Sequence, residues 1–290
     1  MTRRLVLALL AAALVAGLAA PAAAEGLLVD TAWLAAHLED ADLRIVDMVG
    51  EVEDYQKAHI PGAVHLNVND ARVAVPAGGF RLPTAEEGAR LLTSLGIGPD
   101  TRVVIYDDSG GLNASRLFFA LDVFGHTKLA LLDGGIQAWR RAGLPVTTDI
   151  PRPAPIEYRP AVHGERVASA EWIRDHLGAR SLALVDARTP AEYTGKDRRA
   201  KRGGHIPGAV NIEWRSNLRK DWTFKPGDEL RAMYVAQGVT PDKMVVTYCQ
   251  THHRAAHTYF VLRLLGYPKL AGYDRSWIEW GNRDDLPIAK

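Results

Sequence analysis

The 290-residue chain has a single cysteine, Cys249, placed where a thiol has most chemical use. It closes the apolar run Val245-Val246-Thr247-Tyr248, which reads as a buried strand, and opens the polar segment Gln250-Thr251-His252-His253-Arg254. The residues from Ala255 to Leu262 then have the composition of a helix. A strand-to-helix turn aims backbone N–H groups and the positive end of a helix dipole at its occupant. That environment favours the thiolate, which is the nucleophilic form. A buried cysteine serving only as a small hydrophobe would not need this polar loop and the adjacent arginine.

Two further groups of residues invite a chemical reading. His253 and His257 stand four apart, a spacing that puts two imidazoles on one helix face, with His252 beside them. No third ligand of acid or cysteine type accompanies them except Cys249, so a hydrogen-bonding or surface role is expected and no metal. The stretch Lys196-Asp197-Arg198-Arg199-Ala200-Lys201-Arg202 holds five basic residues in seven. It reads either as a solvated loop or as a surface that draws anions to a nearby cleft.

The elements that must position these residues come in two similar sets. His59-Ile60-Pro61-Gly62-Ala63-Val64 recurs as His205-Ile206-Pro207-Gly208-Ala209-Val210, and Val103-Val104-Ile105-Tyr106-Asp107 as Val245-Val246-Thr247-Tyr248-Cys249. Trp139 answers Trp280, and Leu144-Pro145-Val146 answers Leu286-Pro287-Ile288. Four markers in one order, at offsets agreeing within a few residues, indicate a duplicated domain rather than a short solenoid repeat. Between the copies, 149–160 holds four prolines, which exclude helix and favour an extended connection.

Within each half, strand-like runs alternate with helical patterns. Leu43 to Asp47, Arg102 to Tyr106, Lys128 to Leu132, Leu182 to Asp186 and Lys243 to Tyr248 read as strands. Thr84-Ala85-Glu86-Glu87 fits a capping box for a helix stopping at Gly96, and Leu117, Phe118, Leu121 and Phe124 fit one face of another. The expected fold class is α/β, each half a mostly parallel sheet with helices on both faces. In such sheets ligands sit beyond the carboxyl ends of the strands, where Cys249 falls.

The N-terminus reads as an export signal. Arg3 and Arg4 precede the apolar stretch Leu5 to Ala20, and Ala22-Ala23-Ala24 offers small residues for cleavage. The expected division is a signal at 1–24, a first domain at 25–148, a linker at 149–162 and a second domain at 163–290. The apolar core is short for a membrane span, and no other segment is long enough, so no stable membrane association is expected. Location would be periplasmic or extracellular. Without the two signal arginines, the formal charge of +1 becomes slightly negative, which argues against nucleic acid as a partner. In an oxidising compartment an unpaired cysteine is a liability unless it is used.

The chain resembles the tandem-domain sulfurtransferases of the rhodanese family over nearly all of its mature length. The resemblance is carried by the doubled His-Ile-Pro-Gly-Ala segment, by Asp186-Ala187-Arg188 with Glu192-Tyr193, and by the Cys-x4-Arg loop. The tail from Gly272 to Trp280 adds to it. It implies a catalytic C-terminal domain and an N-terminal copy that has lost its nucleophile. Asp107 stands at the position of Cys249, and its carboxylate is expected to repel an anionic donor, leaving the first domain to wall the cleft.

The implied reaction carries sulfane sulfur from thiosulfate to cyanide, a thiol or a redox protein through a Cys249 persulfide. Backbone amides of Gln250, Thr251, His252, His253 and Arg254 would stabilise the charge on sulfur. Arg254 would fix the loop, and Arg188 is expected to clamp the donor's oxyanion end, the alternative being a structural ion pair with Glu192. No cofactor is implied, since the sulfur rides on the enzyme, and a monomer is the default.

Two loop positions depart from the family pattern: Thr251 replaces a lysine found in some thiosulfate-preferring members, and His252 stands where glycine is frequent. The first leaves 3-mercaptopyruvate as the alternative donor. Two other functions compete. A phosphatase or arsenate reductase of this fold uses a longer Cys-x5-Arg loop, and a binding module typically lacks the cysteine kept here.

Overall fold

The computed structural model describes residues 26–290; the expected signal at 1–24 and its cleavage site lie outside them. Two parallel sheets form the scaffold. In the first, the strands run in the order Leu28–Val29, Leu129–Leu132, Arg102–Tyr106, Leu43–Asp47, Val64–His65. In the second, the order is Leu270–Gly272, Met244–Tyr248, Leu182–Asp186, Val210–Asn211. The register is equivalent in the two copies: Tyr106 lies beside Asp47, and Tyr248 beside Asp186. Lys128 and Lys243, expected to begin strands, lie just outside them.

The strand runs lack polar alternation because both faces of each sheet are covered. Separate cores fill the outer faces, one around Trp139 and the other around Trp277 and Trp280. The inner faces share one core, in which Phe118 meets Phe260 edge-on at 4.9 Å and Phe119 meets Tyr259 at 4.8 Å. Each such ring is worth about 1.5–3 kcal/mol of burial, so the domains are joined as a core is joined.

The helix Leu112–Val123 does not bury a single face, as its apolar pattern suggested, but everything from Ala114 to Val123. It lies between its own sheet and the helix His253–Leu264 of the other domain, so its polar residues need partners there. Asp122 finds Tyr259 at 2.6 Å, Arg166 at 2.5 Å and Arg263 at 3.2 Å. Phe124 lies at the C-cap, beyond the helix proper.

The duplicated markers have the same jobs in both copies. His59 stacks on Tyr55 at 3.9 Å, and His205 on Tyr193 at 3.6 Å. The two tyrosine hydroxyls donate to the carbonyls of Ala63 and Ala209, which closes the turn containing the Pro-Gly pair. Trp139 donates to Pro145 and Trp280 to Pro287 through their indole N–H groups. The capping box at Thr84 and Glu87 opens the helix Ala85–Ser94, and Gly96 follows with φ +65°. Residues 148–163 hold no helix or strand, and Ala161 and His163 donate to the carbonyls of Phe124 and Val123. Among the described residues no helix is long and apolar enough to cross a membrane.

Candidate active site

Cys249 follows the last residue of the central strand Met244–Tyr248 and is 1% exposed. The loop then reverses into the helix His253–Leu264, which begins two residues before the apolar pattern suggested. The reversal depends on His252, whose φ of +56° places it in the left-handed region. That explains why glycine is frequent at such a position, and histidine is among the side chains that tolerate it. The imidazole is buried against Phe119, with ring centroids 4.4 Å apart, and Gly272 leaves it room. Burial first, then the charges of Arg116 and His253, hold His252 well below the ordinary histidine pKa, so it is neutral.

The segment after the strand Leu270–Gly272 fastens the loop from below. Ser276 accepts the Cys249 N–H at 3.2 Å and donates to the Tyr273 carbonyl at 2.8 Å. Trp277 N–H donates to the Cys249 carbonyl, and Ile278 N–H to that of Gln250. Ser276 has φ +51°, a cost accepted where the hydroxyl must meet the cysteine amide. The tail from Gly272 to Trp280 was marked by the resemblance, but not Ser276 within it, because its role depends on a parallel neighbour strand.

The N-terminal copy of the loop shows what the turn is built to hold. Asp107 is 0% exposed, and its carboxylate accepts from the N–H groups of Ser109, Gly111, Asn113 and Ala114 at 2.7–3.0 Å. It therefore does not face a donor to repel it, as its sequence position suggested. Instead it fills its own ring of amides. Burial raises its pKa, and the four amide bonds oppose that rise. In the C-terminal copy, the N–H groups of Gln250, Thr251 and His252 have no protein acceptor among the described residues. A negative charge on sulfur would be their natural complement.

Of the two arginines, Arg188 is placed differently from expectation. Arg188 does not clamp a donor: it is 1% exposed, its guanidinium donates to both oxygens of Asp186 at 2.6–3.1 Å and to the Gly204 carbonyl, and it stacks on Trp277 at 4.5 Å. Its head folds back on the carboxylate two positions before it. Its ion pair is with Asp186 rather than Glu192. Glu192 belongs to Arg254, which grips both carboxylate oxygens. Arg254 is held above the ordinary arginine value because Glu192 and Cys249 outweigh the effect of burial.

The remaining expected residues line the approach. Gln250 donates to the Arg199 carbonyl at 2.9 Å, tying the cysteine loop to the basic run, and Thr251 is half-buried. His253 meets Asn113 of the other domain at 2.8 Å, and burial, then Arg72, Arg116, Arg254 and His257, push its pKa down to about 3. His257 points elsewhere, to the Gly110 carbonyl and Asn217. The two imidazoles thus share a helix without converging, and no cluster suited to a metal occurs among the described residues. In the basic run, Arg202 is structural, bound to the carbonyls of Leu286, Trp280 and Arg283, while Lys201 and Arg199 are paired with Asp284 and Asp197.

Comparison with known proteins identifies the family. The rhodanese-like domain profile matches residues 30–142 and again 169–283. A thiosulfate sulfurtransferase of Azotobacter vinelandii is 38% identical over 262 residues, covering 90% of this chain and 96% of the relative. The sulfur carrier protein TtuD of Thermus thermophilus is 38% identical over 276 residues, covering 91% and 96%. Among solved structures, the anaerobic ergothioneine biosynthesis enzyme of Chlorobium limicola superposes with a TM-score of 0.82 at 25% identity, covering 91% of this chain and 70% of that one.

Proposed function

The chain belongs to the rhodanese family, and on that premise we propose that it is a thiosulfate sulfurtransferase working through a persulfide on Cys249. The Cys249 thiolate attacks the outer sulfur of thiosulfate. The sulfur–sulfur bond of the donor breaks, sulfite leaves with the electron pair, and the transferred sulfur stays bonded to Sγ. A thiophilic acceptor, cyanide or a thiol, then attacks that outer sulfur and the Cys249 thiolate is regenerated. No net oxidant or reductant is needed.

One observation carries this reading. The same loop gathers four amides onto a carboxylate in the first domain and, in the second, leaves the three amides that follow the thiol without a protein acceptor among the described residues. An amide ring matched to negative charge serves the thiolate and the persulfide alike. The names of the relatives favour thiosulfate over 3-mercaptopyruvate as donor. The arginine-rich leader before Leu5 supports an exported, periplasmic protein. The shared inner core supports a monomer, since each domain already has its partner within the chain.

The test is sulfite release from thiosulfate in the presence of cyanide, with mass spectrometry of the donor-treated protein. Wild type should gain one sulfur on the Cys249 peptide, and Cys249→Ser should lose at least about a thousandfold in turnover. Equal turnover in the two proteins overturns the proposal.

A further inference from the structure

Resting on the sulfurtransferase reading, we propose that Arg72 of the N-terminal domain binds the oxyanion end of the sulfur donor. The donor site would then be completed by the domain that lacks the nucleophile.

The first argument is one of commitment. Arg188 is paired with Asp186, Arg254 with Glu192, and Arg116 with Asp274 at 2.6 Å through Nη1; the Nε and Nη2 of Arg116 have no partner among the described residues, but the side chain is fully buried and presents no accessible edge. Arg72 is half-buried and has no carboxylate partner among the described residues. Its Nε and Nη2 both donate to the neutral Asn69 Oδ1, at 3.1 and 2.6 Å, and its guanidinium lies 3.7 Å over the Phe80 ring. One edge is thereby fixed in direction while Nη1 keeps its donors. A planar cation held rigid without a counter-charge is suited to a sulfonate-like or carboxylate group.

The second argument is position. Arg72 immediately precedes a short hairpin, Val73–Ala74 paired with Phe80–Arg81. That hairpin is stapled to the segment beneath the cysteine loop. Arg275 donates to the carbonyls of Phe80 and Gly78, and Leu82 N–H donates to Asp274 at 2.5 Å. Ser276, next along that segment, accepts the Cys249 N–H. The charge of Arg72 is also felt at the site. After burial it is the largest influence keeping His253 neutral. Burial and Arg116 lower the pKa of Arg72 itself, and the Cys249 thiolate opposes them.

Steady-state kinetics on the full chain with thiosulfate and cyanide test the assignment. Arg72→Ala should raise the KM for thiosulfate about 10- to 100-fold, as for loss of a charged hydrogen-bonding partner, with kcat held within about threefold. Product inhibition by sulfite should weaken in parallel, and Arg72→Lys should recover part of the affinity. Arg198→Ala removes one charge from the nearby surface loop and should leave KM in place. If Arg72→Ala melts early, Arg72→Gln carries the test, since its amide can still reach Asn69. A thiosulfate KM within twofold of wild type in a folded Arg72 variant overturns the inference alone. A wild-type protein that takes no sulfur overturns the sulfurtransferase reading, and this inference with it.

Discussion

Arg254 and Glu192 form a two-point fork, with Nη1 at 2.6 Å and Nη2 at 2.8 Å from the two carboxylate oxygens. Glu192 is 0% exposed and also completes the capping box of the helix Pro190–Tyr193, accepting from Thr189 through its N–H and hydroxyl. The start of the helix that follows the cysteine loop is thus locked to a turn beyond the neighbouring strand. Arg254 holds the loop's shape and adds positive charge beside Cys249, with one donor on each terminal nitrogen taken by Glu192.

Breaking this fork should damage both fold and chemistry. Glu192→Ala leaves a largely buried guanidinium unpaired and should cost about 2–4 kcal/mol of stability in denaturant titrations. Burial alone would raise the Glu192 pKa, but the Arg254 hydrogen bonds and charge, with Thr189, bring it down to about 2. The carboxylate therefore contributes stability in full above its unfolded value, near 4.5, and loses it as pH falls toward 2. Glu192→Gln should flatten the wild-type decline across that acid window. An identical pH dependence in the two proteins would remove the fork from the account.

Asp107 should prove structural and indifferent to the donor. Asp107→Ala strips four amides, two of them buried and two half-buried, of their acceptor and should destabilise the protein by about 3–5 kcal/mol in chemical denaturation. Asp107→Asn, which keeps one oxygen, should cost less. In the folded fraction of either variant, the thiosulfate KM should stay within about twofold of wild type. A large fall in KM on removing the acid would instead restore donor repulsion as its role.

His252 and Gly272 form a coupled pair. A methyl added at Gly272 would stand 2.3 Å from the His252 ring and 2.7 Å from Phe119, so one of the rings must move. Gly272→Ala should lower stability by about 2–4 kcal/mol and turnover by tenfold or more, because His252 sets the reversal of the cysteine loop. His252→Gly keeps the left-handed backbone at the cost of a cavity. The double variant should be more stable than the sum of the two single losses predicts. Additive losses would show that the ring and the glycine do not compete for one space.

Much of this architecture was legible in residue order. The duplication was written in His59 and His205 and in Trp139 and Trp280, because each repeated residue makes a local bond within its own copy, to Tyr55 or Tyr193 and to Pro145 or Pro287. The two- and three-residue strands Leu28–Val29, Val64–His65, Val210–Asn211 and Leu270–Gly272 did not follow from apolar runs, but the five longer strands did, and the nucleophile followed from a lone cysteine after one of them. These are short-range regularities, and sequence records them directly.

What a charged side chain meets is a different matter. Arg188 read as a donor clamp or a partner of Glu192, and Arg254 as the residue that fixes the loop; Arg188 instead folds back onto Asp186, and it is Arg254 that reaches across to Glu192. Asp107 read as a repellent and serves as the anion for its own amides. Ser276 was marked only as part of the Gly272 to Trp280 tail and Arg72 not at all, since their relation to Cys249 arises through a neighbouring parallel strand and a hairpin from the other domain. Residue order by itself determined the two-domain α/β plan and the cysteine. Only the tertiary structure decided which cations are spent and which remain, because an ion's partner is fixed by where distant segments come to lie.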